Sequence, residues 1–579
     1  MIWILAVFSP LLLLPPMVFP PFRGIVFRYG LWLAPAPALA LALGGSDVAP
    51  GLFPSLFLET SLHFGSFGRA FLLITTLLWM AAGMYASSYL ATNPAKSRFS
   101  LFFLLTLCGN LGLTVAQDLA SFYTFFALMS FAAYGLVIHE GTPRALRAGR
   151  VYLTMTLFGE VMLASAFFYG GLAGGGLTFQ AMAPLLPAHD QGTLILALAF
   201  AGFGIKAGVI VFHLWLPLAH PAAPIPASAV LSGAMIKAGL LGWLQFFSVD
   251  SVADFWGILF ACLGLSGALY GVVSGLHQRD PKTILAYSSV SQMGLMTMTL
   301  GFALMSGVSA REEIMTGLMV FALVHGLAKG ALFLGIGISL ATERRSLSGR
   351  VVLAGLIFPS LVLAGLPFTA GAAVKGVMKG GVAHLPEVWS GFFSVMLSFS
   401  AMGTTLLLSA FVWRVFAAMP HEREKGGAWG MMVAWAGLLG LLWGVFPMVQ
   451  GWLPVAQIPF EGGLQRIWEG IWPIGLGVFL ACLFFKSSFA SREWKGLDGF
   501  FLETLEQALR SLERRWRASP LCDPSYGRVD LVAWTDRLLQ NPILRTSPDK
   551  VEQRLMHWHT VGVLLVFLLL GFILLTWAG

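Results

Sequence analysis

The chain has 579 residues, of which 57% are hydrophobic and only 11% charged, with a formal net charge of +8 and a mean hydropathy of +0.80. That balance excludes a water-soluble protein of this length, because runs of about 20 apolar residues, enough to cross a bilayer, recur from end to end. The basic excess does not point to nucleic acid, since Arg and Lys are what cytoplasmic membrane loops collect. The four cysteines (Cys108, Cys262, Cys482, Cys522) lack paired spacing, so they supply no disulfide framework and no metal or iron–sulfur motif, and no cofactor is expected.

The pattern predicts an all-α polytopic membrane protein with about 16 transmembrane helices. They are expected near 1–20, 27–46, 70–90, 100–117, 119–138, 151–171, 193–213, 228–247, 254–276, 283–307, 315–341, 351–380, 389–417, 427–448, 471–486 and 558–578. The first apolar run lacks a basic start and a small-residue cleavage site, so it reads as a retained span. Loops after odd-numbered spans carry Arg23 and Arg28, Lys96 and Arg98, Arg144, Arg147 and Arg150, Arg279 and Lys282, Arg344, Arg345 and Arg350, then Arg423 and Lys425. Loops after even-numbered spans carry Asp47 and Glu59, Asp118, Asp190, Asp250 and Asp254, Glu312 and Glu313, Glu387, then Glu461 and Glu469. Basic loops mark the cytoplasmic side, which puts both termini on the periplasmic side.

Ionisable residues inside apolar runs are costly and by default mark an ion or proton path. Of the eleven lysines, Lys206, Lys237, Lys329, Lys375 and Lys379 fall in such runs, and Glu160 lies within the sixth span. Between Lys206 and Lys237 stands a break containing His213, His220, Pro217, Pro221, Pro224 and Pro226. Proline interrupts a helix, and such breaks survive at membrane depth only when protein or a wet cavity surrounds them. His325 and Lys329 are four apart and share a helical face. Lys375 follows a second break at Pro367, as Lys206 precedes the first. The bland alternatives are a lysine snorkelling to the headgroups and a hydrogen-bonded core histidine.

This spacing suggests an internal repeat. Residues 1–99 form N-terminal spans, 100–247 a first five-helix repeat and 254–417 a second, inverted one, each with a broken helix; 427–486 adds further spans. From 487 to 557 charges are dense, with Trp494, Leu497, Phe501, Leu505, Leu509 and Leu512 at helical spacing, as in an amphipathic helix at the interface. Pro520 and Pro524 interrupt it, and 558–579 closes the chain as a final span.

Three blocks carry a resemblance: HLWLPLAHPAAPIPASAVLSGAMIKAG from His213, QRDPKTILAYSSVSQMG from Gln278, and HGLAKGALFLGIG from His325. They resemble the antiporter-like proton-translocating subunits shared by respiratory complex I, Mrp-type sodium/proton antiporters and group 4 membrane-bound hydrogenases. The resemblance covers roughly residues 70 to 417, and the added spans look most like the large distal subunit of complex I. It implies two half-channels joined at mid-membrane through Lys206, Lys237, His325, Lys329 and Lys375; with Glu160 and the break residues His213 and His220 these make up the expected proton relay. It also implies a bacterial or archaeal cytoplasmic membrane and partner subunits: a redox arm, Mrp-like subunits, or a carbonic-anhydrase-like protein that the chain would power. No catalytic site of its own is expected.

One departure stands out. Where the family carries a glutamate in a phrase like F-W-E-L-M-S, this chain reads Phe125, Phe126, Ala127, Leu128, Met129, Ser130. Glu160, one span later, is expected to take over the pairing with Lys206.

Overall fold

The computed structural model describes residues 2–44, 50–53, 60–65, 67–174, 176–186, 189–247, 254–421, 429–452, 463–486 and residue 511. Contacts divide the chain into two compact units. The first, 1–54 with 58–494, holds every element described below; of the second, 55–57 with 495–579, only Ser511 is described. Apart from Ser511, the expected amphipathic segment and final span lie outside the described residues. So do the loop residues Asp47, Glu59, Asp250, Arg423, Lys425 and Glu461.

The first unit is built almost entirely of helices, preceded by small elements. These are α1 (Ile2–Leu12), α2 (Leu14–Val18), α3 (Pro20–Ile25), α4 (Leu31–Leu33), α5 (Ala36–Leu43) and an antiparallel pair, β1 (Gly51–Phe53) and β2 (Thr60–Leu62). Then follow α6 (Gly68–Tyr89), α7 (Lys96–Val115), α8 (Leu119–Val137), α9 (Pro143–Gly174), α10 (Phe179–Met182) and α11 (Gly192–Ala207). After a break come α12 (Trp215–Ala222), α13 (Ile225–Val230), a π-helical segment (Leu231–Met235) and α14 (Lys237–Phe246). The remainder is α15 (Asp254–Leu276), α16 (Pro281–Met305), α17 (Val308–Leu340), α18 (Leu347–Ala364), α19 (Ala370–Ala383), α20 (Glu387–Ala418), α21 (Trp429–Trp452) and α22 (Gly463–Lys486). Among the described residues, 11 helical stretches are long and apolar enough to cross a membrane.

Helix starts follow local chemistry. Asp118 caps α8 by accepting from the Ser121 amide at 2.7 Å, and Asp280 caps α16 by accepting from the Lys282 amide at 2.9 Å. Pro281 at the first position of α16 loses no bond, because that amide has no intrahelical partner. Outward faces are apolar: α9 exposes Leu157, Phe158, Val161, Phe168 and Leu172 while burying Glu160, Leu163 and Phe167. A helix that is greasy outside and carries its acid inside is packed for lipid.

Two of the expected spans are interrupted. α11 ends at Gly208 with φ 71°, and α18 ends at Gly365 with φ 86°; three residues beyond each, Val211 (φ 77°) and Phe368 (φ 65°) are also left-handed. The span expected near 351–380 is thus two helices, α18 and α19. Its proline at 359 is absorbed within α18, and the chain breaks at Gly365–Thr369.

Close helix crossings set the interior. A Cβ on Gly159 of α9 would lie 3.4 Å from the Gly202 carbonyl of α11, and one on Gly202 would lie 3.0 Å from the Gly159 carbonyl. Gly233, in the π segment, and Gly326 of α17 approach likewise, at 2.9 and 2.8 Å from each other's carbonyls. Only residues without side chains allow backbones this near.

Candidate functional site

The Gly159–Gly202 crossing puts Glu160 beside α11 one turn from Lys206. Both are buried, 3% and 4% exposed. Lys206 is the charge that bears on Glu160, and Ser130, three residues past the position where the family's glutamate is missing, lies beside its carboxylate. No ion pair forms between them within 4 Å. Instead the Lys206 ammonium donates to the Tyr152 hydroxyl at 3.3 Å, and that hydroxyl donates to the Ser130 carbonyl at 2.7 Å. The rings of Tyr152, Phe126 and Trp215 surround the ammonium at 5.4, 5.6 and 5.9 Å. Trp215 is fixed there by its indole bond to the Ile205 carbonyl, 2.7 Å. An aromatic cage attracts a cation through its ring faces, which is why the lysine holds this place without touching the carboxylate.

α14 begins at Lys237, which is 1% exposed. Its Nζ donates to the Ser232 carbonyl at 2.8 Å and lies 2.6 Å from His325 Nδ1. The π segment makes this possible: the widened turn leaves the Ser232 carbonyl open to a side chain five residues on. The Gly233–Gly326 crossing brings α17 close enough for His325 to meet it. The Ser232 hydroxyl lies 2.7 Å from that of Ser289, which donates to the Leu285 carbonyl at 2.9 Å. Lys329 Nζ donates to the same carbonyl at 2.9 Å. A polar thread therefore runs from His325 through Lys237, Ser232 and Ser289 to Lys329, and all five side chains are fully buried.

His220 is fully buried against Phe333, with both ring nitrogens lacking a hydrogen-bond partner; Lys282 and Lys329 are the charges facing it. Lys282 reads in the sequence as a loop residue, yet its ammonium reaches the Ala223 carbonyl at the α12–α13 junction, 2.5 Å. His213 is buried in the first break with its ring 5.1 Å from Tyr270.

Lys375 on α19 bends back over Gly365 and donates to the Ala364 carbonyl, the free end of α18. It is half-buried. Lys379 belongs elsewhere: it lies on an exposed face and pairs with Glu469 of α22 at 3.4 Å. An exposed ammonium with a carboxylate partner avoids the cost that burial would impose.

The expected residues thus form three groups. Glu160 and Lys206 face each other across one turn, Lys237, His325 and Lys329 are threaded by hydroxyls and carbonyls, and Lys375 sits at the second break. The sequence reading missed Tyr152, Ser232, Ser289 and Lys282. Hydroxyls in apolar runs are too common to single out, and Lys282 was absorbed into the basic-loop pattern. Among the described residues the buried acids are Asp118, spent on capping, and Glu160. No group of three or more metal-ligating side chains occurs among the described residues. Buried amines and imidazoles linked by hydroxyls can take up and release protons, as arginine cannot.

Residues 116–398 match the family described as "NADH:quinone oxidoreductase/Mrp antiporter, TM". The chain is 33% identical over 296 residues to hydrogenase-4 component B of Escherichia coli, covering 49% of this chain and 44% of that one. It is 26% identical over 391 residues to NAD(P)H-quinone oxidoreductase chain 4 3 of Trichormus variabilis, covering 64% and 70%. The chain spans about half the length of the first curated relatives it matches. The structure of the Mrp complex from Dietzia sp. aligns with a TM-score of 0.71 at 21% identity, covering 93% of this chain and 61% of the other, which shows a shared fold.

Proposed function

We propose that this chain, a multi-pass membrane protein whose residues 116–398 match the NADH:quinone oxidoreductase/Mrp antiporter family, carries protons across the membrane as one subunit of a larger energy-converting complex. The observation that carries this reading is the buried thread from His325 through Lys237, Ser232 and Ser289 to Lys329. Buried polar atoms almost always find partners, and those without a protein partner (Glu160 Oε2, His325 Nε2, both nitrogens of His220) are where a hydrated path would pass. The sequence of steps is Glu160 and Lys206, then Lys237 and His325, then Lys329, then Lys375, with His213 and His220 as branch points beside the first break.

The finer architecture belongs to the same proposal: about 16 spans, both termini periplasmic, and two inverted five-helix repeats, 100–247 and 254–417. The matching left-handed pairs, Gly208 with Val211 and Gly365 with Phe368, support the repeat. Partner subunits follow from relatives named as components of a hydrogenase and of a quinone oxidoreductase. A proton channel that powers a carbonic-anhydrase-like partner is the second reading. Proton movement in membrane vesicles carrying the chain with its neighbours, followed by a pH-sensitive dye, tests the first claim. Lys329→Ala is expected to remove it, and unchanged movement in that variant would refute the relay.

A further inference from the structure

α22 lies beyond the segment that matches the family, yet it is built against the second break. A Cβ on Gly470 would come within 3.0 Å of Pro367 Cγ, so the helix backbone rests directly on the turn that separates α18 from α19. The preceding residue, Glu469, pairs with Lys379 at 3.4 Å, both side chains nearly half exposed. Lys379 follows Lys375 by one helical turn on the same face of α19, and it is the charge facing Lys375. Glu313 of α17 borders the same spot, its Oε1 3.9 Å from where a Cβ on Gly380 would stand.

These contacts make a graded series. Lys375 is half-buried at the break, Lys379 is one turn nearer the surface, and Glu469 is a carboxylate open to water. An exposed ion pair is worth at most about 1 kcal/mol, so stability alone does not account for an added helix presenting an acid to this lysine. We propose that Lys379 and Glu469 form the surface port of the proton path, through which protons pass between Lys375 and bulk water. The inference rests on the relay reading. In the outward direction the Lys375 ammonium gives a proton, through intervening water, to the Glu469 carboxylate, which releases it to bulk water and returns to the anion. Lys379 stays protonated throughout, and holds the carboxylate in place. In the inward direction the steps reverse, so no electron or co-reactant is required.

The test compares proton flux in vesicles carrying the whole complex for wild type, Glu469→Gln, Lys379→Gln and Lys375→Ala. Glu469→Gln keeps the shape and a hydrogen bond to Lys379 but cannot exchange a proton, and is expected to slow flux about tenfold. Adding a small permeating weak-acid buffer on the outer face should restore most of that loss, because mobile carriers replace a fixed one. Wild-type flux in Glu469→Gln, with Lys375→Ala inactive, would overturn the port and leave the relay standing. A loss in Glu469→Gln that buffer does not restore would show a purely structural latch and also overturn it. Full flux in Lys375→Ala would remove the relay and the port together.

Discussion

Lys237 Nζ lies 2.6 Å from His325 Nδ1, at the point where the π segment and α17 cross. At this distance one base donates a hydrogen bond to the other, and the pair belongs to two different parts of the chain, 88 residues apart. In the proposed relay this pair would be the joint between the two halves of the path.

Replacing His325 by Ala removes that acceptor and leaves a buried amine with one carbonyl. Proton flux is expected to fall at least about tenfold, and the folded state to lose on the order of 3 kcal/mol. Dye-reported flux and thermal unfolding in detergent measure the two effects. An unchanged flux in a stably folded variant would show that the joint conducts nothing.

At the other end, Tyr152→Phe deletes the hydroxyl that holds Lys206 and keeps the ring. The hydrogen bond is worth about 1.5 to 3 kcal/mol when one partner is charged, so the amine should be freer to approach Glu160 and the flux altered several-fold. Glu160→Gln should abolish flux, because the remaining amide cannot take a proton. Undiminished transport in Glu160→Gln would sink the assignment of Glu160.

Lys206, Lys237, Lys329 and His325 were legible because charge in an apolar run has few structural excuses. The prolines after Lys206 pointed to an interruption of its span, but the chain leaves α11 earlier, at Gly208, and Pro217 and Pro221 lie inside α12. Lys379 also lies in an apolar run yet is exposed, because position in such a run does not say which side of the helix faces water. The π segment at Leu231–Met235 has no sequence mark, and without it the Ser232 carbonyl would be spent inside the helix. The cage around Lys206 joins residues from α8, α9 and α12, a tertiary fact that no local pattern encodes.

The loop charges give a topology that labelling can check. A single cysteine at Ser348, in the first turn of α18 beside the arginine-rich loop, should react with impermeant reagent only from the cytoplasmic side. One at Asp190, before α11, should react only from the opposite side. The reverse pattern would overturn the orientation.

Acid should weaken the fold at His139, just past the end of α8. Burial first, and then the Arg98 guanidinium, push its imidazole down to about 4. The folded protein holds this ring neutral while the unfolded chain protonates it near pH 6.5, so the unfolded state binds more protons between those values. The stability is therefore present above about pH 6.5 and is lost as pH falls toward 4, by on the order of 3 kcal/mol at the limit. His139→Phe, which keeps an aromatic ring against Phe99, should flatten that part of the unfolding profile. An identical acid dependence in the variant would place the sensitivity elsewhere.

Proton flux through Lys206→Ala and Lys375→Ala tests most directly whether one path joins the two breaks. Each variant should assemble with its neighbours, as seen by pull-down of the tagged chain, and each alone should stop proton movement. Normal flux in either assembled variant would contradict a shared path from Lys206 to Lys375.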